Sequence, residues 1–290
     1  MAVYKQEYTP YEGPLRGDRW RFAILTRYSF LAVFDSRLLV TFFALCFIPP
    51  LLACGILYAN HNAKAFESVL IGDVVGVLPV NGVFFKLVFR TQAFLAFLLV
   101  TFVGPGLVST DVANSALVIY LSKPFSRAEY VLGRLTVLLA LTSAVTWLLA
   151  AVLIGVQTDL AGFGWLFQNH RVASAFVLSY WLWIVMISLL ALAVSAFVKW
   201  RPLATGCLLV LFFAGSGFGV LMNQMLELPW QWGQLLNLDS SISIVFDWLM
   251  GGLSERGNVP AWTAVVWLAL LSVASAALLR RKICAYEAVH

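Results

Sequence analysis

The sequence predicts an all-α integral membrane protein with six transmembrane helices, and three observations carry that expectation. Hydrophobic residues occupy 61% of the 290 positions and charged residues 11%, with a mean hydropathy of +0.88; an ordinary soluble domain has roughly 25% charged residues. Six stretches lack Asp, Glu, Lys, Arg and His altogether: 38–59, 91–110, 135–157, 172–198, 202–226 and 261–279. The shortest is 19 residues, and about 20 apolar residues cross a ~30 Å hydrocarbon core. The 19 basic residues are also unevenly placed: 14 flank one side of these stretches and five, Lys64, Lys86, Arg90, Arg171 and Arg256, flank the other. The positive-inside rule then puts both termini and the 109–135 loop in the cytoplasm, as expected of a multi-pass protein of a plasma membrane, such as the bacterial inner membrane.

Residues 1–37 read as a charged cytoplasmic tail and 38–290 as the six-span domain. No signal peptide is expected, because the first apolar run follows that tail and lacks a small-residue cleavage pattern. From Trp20 onward, Ile24, Tyr28, Leu31 and Phe34 recur at helical spacing, with Asp18, Ser29 and Ser36 opposite. Two readings fit: a helix lying in the headgroup interface, its basic residues toward anionic lipid, or an inward extension of the first span.

Between the first two spans, Lys86 and Arg90 lie four apart and share a helix face. They form either an external cationic rim for an anionic group or an anchor whose long side chains snorkel to water.

The 109–135 loop, STDVANSALVIYLSKPFSRAEYVLGRL, carries the most local structure. Ser109, Thr110 and Asp111 offer N-cap oxygens and a negative charge for a short helix over 111–122. Pro124 ends that helix and excludes Lys123 from helical geometry. Ser126 and Glu129 then form a capping box that opens the next helix at the apolar run from Tyr130.

Gly215 and Gly219 in the fifth span have the spacing that permits close helix approach, either at a seam with a second subunit or within one. Residues 227–260 contain Pro229, Trp230, Trp232 and Trp248 with an apolar run from Ile242 to Met250 too short to cross, readable as short external helices or as a loop anchored by interfacial tryptophans. Cys46, Cys54, Cys207 and Cys284 have neither a disulfide framework nor metal-ligand spacing.

Enzymatic classes are excluded on chemistry. Ala214-Gly215-Ser216-Gly217 has the look of an intramembrane serine protease motif, but a serine nucleophile needs a base and His61, His170 and His290 all lie outside the spans. No G-x-x-x-x-G-K-[ST] phosphate loop occurs, so the chain itself is expected to bind no cofactor and to hydrolyse no ATP. An ion-coupled carrier normally keeps a titratable group in mid-membrane, which the charge-free stretches lack, although sodium sites built from carbonyl and hydroxyl oxygens escape this argument.

The loop resembles the signature loop of the type-2 permeases of ATP-binding-cassette transporters. Asp111 stands where that family usually has Glu, and Pro124, Ser126, Arg127, Tyr130 and Gly133 fall on family positions without a gap. Ser115-Ala116 depart from a Gly-Thr pair, and Val118 from a second acidic residue. The resemblance implies a coupling helix whose ATPase-facing residues are Asp111, Asn114, Ser115, Leu117, Tyr120, Lys123, Pro124, Ser126, Arg127 and Glu129. It also implies two separate cytoplasmic ATPase subunits carrying ATP and Mg, a second permease chain, same or related, and short external helices before the last span. The implied activity is export, and the apolar, charge-free spans favour a lipid-like or amphipathic substrate over a strongly charged ion. The alternative is an ATPase-driven scaffold or mechanical transmitter for extracytoplasmic machinery. Membrane lipids are the surrounding partner, and no nucleic acid is expected.

Orientation is directly testable. Cys284, and a cysteine placed at Ser122, should react with a membrane-impermeant maleimide only from the cytoplasmic side, and cysteines at Asn62 and Ser254 only from outside. Labelling of Ser122→Cys from outside alone would reverse the topology.

Overall fold

The computed structural model describes residues 21–62, 80–114, 116, 126–226, 229–252 and 259–285, and every regular element among them is helical. In chain order these are α1 (Arg21–Phe34), α2 (Arg37–Leu45), α3 (Ile48–His61), α4 (Gly82–Ala113), α5 (Arg127–Val145), α6 (Trp147–Ala161), α7 (Phe163–Gln168), α8 (His170–Phe197), α9 (Arg201–Leu226), a 3-10 segment (Pro229–Leu236), α10 (Leu238–Leu249) and α11 (Ala261–Ala285). Taking α2 with α3 and α5 with α6, six helices are long and apolar enough to cross a membrane.

Several helices start well before their charge-free stretches, and at α4 and α5 a side-chain cap rather than the nearest charge sets the start. Asn81 Oδ1 accepts the Val83 and Phe84 N–H groups at 3.0 and 3.2 Å, so α4 starts early enough to carry Lys86 and Arg90. At its other end α4 does not stop before Ser109. The Thr110 hydroxyl donates back to the Gly106 carbonyl at 2.7 Å and Ser109 donates to that of Pro105, so Ser109, Thr110 and Asp111 close α4 instead of capping a new helix. The Ser126–Glu129 capping box does form: Glu129 N–H donates to Ser126 Oγ at 3.2 Å and Ser126 N–H to Glu129 Oε2 at 2.7 Å. It starts α5 at Arg127, which places Arg134 inside the helix.

Two spans are broken in the middle. Pro49 and Pro50 sit at the start of α3 and cannot continue the ladder from α2, so the chain bends at Cys46–Phe47. At the second break the Thr142 and Thr146 hydroxyls donate back to Leu138 and Thr142 carbonyls, both at 2.7 Å, and Thr146 leaves helical geometry at ψ −99°.

The bundle is organised around α4 and α8, which pack along their length. A Cβ on Gly104 would lie 3.0 Å from that of Ala191, so glycine permits the close crossing. Trp183 Nε1 donates to the Ala93 carbonyl at 2.9 Å. Phe89 of α4 stacks on Phe246 of α10 at 4.2 Å between centroids, with Phe176 and Tyr180 of α8 packed around them. On one side α9 flanks α4 and α11 flanks α8 and α10; on another lie α5, α6 and α3.

Separated from α2 by the turn at Asp35–Ser36, α1 packs on α5. Thr26 Oγ1 donates to the Gly133 carbonyl at 3.1 Å, and a Cβ at Gly133 would approach Leu25 Cδ2 to 3.2 Å. The α1 face bearing Ser29 is therefore the buried one, whereas Ile24, Tyr28, Leu31 and Phe34 are exposed.

Gly215 and Gly219 seat the 3-10 segment of the same chain: a Cβ on Gly215 would lie 2.6 Å from the Leu236 carbonyl oxygen, and one on Gly219 would overlap that of Gly233. Asn237 Nδ2 to Ser216 Oγ at 3.0 Å and Gly233 N–H to Asn223 Oδ1 at 2.8 Å complete the contact. Gly219→Val should therefore lower stability by about 1–3 kcal/mol, read as thermal unfolding in detergent. Gly206→Ala, where a Cβ meets nothing within 4 Å, should leave the midpoint unchanged or slightly raised.

Candidate functional site

Four residues from three helices meet at the end of the bundle where α4 stops and α5 begins. Asp111 sits in the last turn of α4, while Tyr130 and Arg134, four apart, present one face of α5 to it. The Tyr130 hydroxyl donates to Asp111 Oδ2 at 2.7 Å, and Arg134 Nη2 forms a salt bridge to the same oxygen. Arg134 Nη1 donates to Ser29 Oγ of α1 at 2.5 Å, and that hydroxyl donates to the Leu25 carbonyl at 2.7 Å. The guanidinium carbon also lies 5.6 Å from the centre of the Tyr130 ring.

Both charged side chains are about nine-tenths buried, with exposures of 9% for Arg134 and 12% for Asp111. Charges enclosed this way must neutralise each other locally, since removing either strands the other without water. The result is a clamp that ties α1, α4 and α5 together and closes the base of the connection from Asn114 to Ser126. No group of three metal-ligating side chains occurs among the described residues.

Of the residues expected to face an ATPase, Asp111 belongs to the clamp and Asn114 is the C-cap of α4, its N–H donating to the Thr110 carbonyl at 3.0 Å. Ser126 and Glu129 form the α5 cap, and Arg127 is the half-buried first residue of that helix. Ser115, Leu117, Tyr120, Lys123 and Pro124 lie outside the described residues. Arg134 and Ser29 escape a reading based on charge-free stretches, because Arg134 precedes the third stretch by one position. The available signal was the Asp111, Tyr130, Arg134 pattern, two partners at helical spacing that can face an acid.

At the opposite end, Lys86 and Arg90 each hold an acidic partner while their side chains stay partly exposed. Lys86 Nζ lies 2.5 Å from Asp247 Oδ2, and Arg90 forms a salt bridge to Asp239, which joins α4 to α10. A polar cavity of about 580 Å³ adjoins these pairs, bordered also by Asn223 of α9 and Gln234 of the 3-10 segment.

No protein-family model matches the chain, and no curated protein matches it.

The clamp makes an asymmetric prediction. Asp111→Ala, which leaves Arg134 buried and unpaired, should cost ~3 kcal/mol or more of stability, whereas Asp111→Leu combined with Arg134→Met should recover most of that loss. Unfolding in detergent measures both; a double-variant loss equal to the sum of the two single-variant losses would mean that the charges are independent.

Proposed function

We propose that this chain is the membrane-embedded permease subunit of an ATP-binding-cassette transporter, working with two separate cytoplasmic ATPase subunits that carry ATP and Mg. A second permease chain, identical or related, completes the assembly. The single observation that carries this reading is the buried Asp111–Tyr130–Arg134–Ser29 clamp at the base of the 115–125 segment. In the proposed mechanism the ATPases press on that segment, which faces the cytoplasm with both termini.

A push on a connection with a loose base would be absorbed by bending. Here the base is clamped, so displacement passes to α4, α5 and α1 as one body. The capping box lets α5 move from its first residue without fraying. Arg127 and Lys123 supply polar contacts to the ATPase or to lipid phosphate. With Ile24, Tyr28, Leu31 and Phe34 outward, α1 rests its apolar face in the membrane interface and supports the clamp from the side. The apolar, charge-free spans favour a lipid-like or amphipathic substrate over a strongly charged ion.

The alternative output, force passed to extracytoplasmic machinery, has one observation in its favour. Phe97 of α4 and Phe212 of α9 stack at 4.0 Å, and Thr205 donates to the Thr101 carbonyl at 3.3 Å, so the seam between these spans is filled.

The purified chain alone should hydrolyse no ATP, and a co-expressed partner ATPase should co-purify with it. Ser126→Ala with Glu129→Ala removes the cap at a cost of about 1 kcal/mol. That double variant should still assemble but lose most of the permease-dependent stimulation of the ATPase. ATP hydrolysis by the isolated chain, or full coupled activity in the cap variant, overturns the proposal.

A further inference from the structure

The two helix breaks described above meet at one side chain. Gln92 of α4 is 2% exposed, and its Nε2 donates to the Cys46 carbonyl at 2.8 Å and also to the Val145 carbonyl. Each is a carbonyl freed at one of the breaks. In an unbroken helix the Cys46 carbonyl would accept from residue 50, but Pro50 has no N–H. The Val145 carbonyl is the last of α5, turned out of the ladder by Thr146. Enclosed within the bundle, a freed carbonyl has no water to turn to, so an internal donor is required.

The packing on either side of Gln92 differs. On the clamp side, α1 contacts both α2 and α5. Beyond the breaks, α3 packs chiefly on α6. The first halves of the first and third spans thus share contact with α1 and their second halves contact each other, while α3 also touches α4 and α6 also touches α8. The side chain of Gln92 stands where the halves join.

We propose that Gln92 is a shared pivot: its amide holds both breaks to α4, so that α3 and α6 move as a pair relative to α1, α2 and α5. This deepens the permease reading, from which it takes the direction of the transmitted movement. In that setting the clamp delivers displacement to α5 and α4, and the pivot converts it into a swing of α3 with α6. Both carbonyls being held by one amide, the breaks should open together. Gln92 is a positioning residue.

The test needs neither ATPase nor substrate, so its failure leaves the permease reading standing, and failure of that reading leaves the pivot measurable. Hydrogen–deuterium exchange of the chain in lipid nanodiscs reads residues 46–51 and 146–150 separately. Gln92→Leu keeps the volume and removes the donor. It should raise exchange in both segments about tenfold, the effect of one lost hydrogen bond on local opening, while residues 176–183 of α8 stay protected.

Pro50→Ala in the Gln92→Leu background restores the missing N–H for the Cys46 carbonyl. Protection should return over 46–51 and remain low over 146–150. Should Gln92→Leu not insert, Gln92→Asn serves, because an amide one methylene shorter cannot reach both carbonyls and should release at least one break. Unchanged exchange at both breaks in either variant, or recovery at both breaks on Pro50→Ala, overturns the pivot.

Discussion

Satisfying carbonyls and charges where water cannot reach is the constraint from which the rest of this structure follows, and α4 meets it three times. Pro50 leaves the Cys46 carbonyl without a donor, and Gln92 supplies one. Pro105 does the same to the Thr101 carbonyl four residues earlier, and Thr205 of α9 donates to it. At the end of α4, Asp111 neutralises Arg134 in a setting where either charge alone would be costly. Each partner comes from a different span, so polar satisfaction and helix order are the same problem. That α4 is the most enclosed of the six helices is the structural outcome.

The polar contacts also divide the molecule along its length. At one end an ion pair and a capped helix start make α1, α4 and α5 one body. At the other, two ion pairs tie α4 to α10, and glycines in α9 let the 3-10 segment lie against it. Between them lie the two bends and the amide that spans them. A proline-bent helix keeps fewer ladder hydrogen bonds at the bend and moves there more readily than elsewhere. An ATPase-driven membrane subunit needs this distribution: stiffness where force enters, compliance in the middle and a fixed reference beside it. The reading offered for this chain assigns these parts to the clamp, the paired breaks and α8.

Much of this was legible in the residues. Composition and the charge-free stretches suffice for six apolar helices, because crossing ~30 Å of hydrocarbon leaves few alternatives. The α5 capping box was legible too, since its two reciprocal hydrogen bonds are local to Ser126 and Glu129. Ser109, Thr110 and Asp111 misled because their capping potential is real but unused. Nothing local stops α4 before Ala113, and the carboxylate pairs with Arg134 of α5 instead. The acidic partners of Lys86 and Arg90 were not legible locally, as they lie 161 and 149 residues away.

By itself, then, the sequence determined the class of solvent, the number of spans, the helix starts with local caps and the places where proline breaks the ladder, all of which depend on neighbours within about four residues. Only the tertiary structure decided which donor answers each freed carbonyl, which acid neutralises each buried base, and that the glycines of α9 face their own chain. Those choices depend on residues brought together from distant spans, and the physical penalty for an unpaired group in the bilayer says that a partner must exist without saying where in the chain it lies.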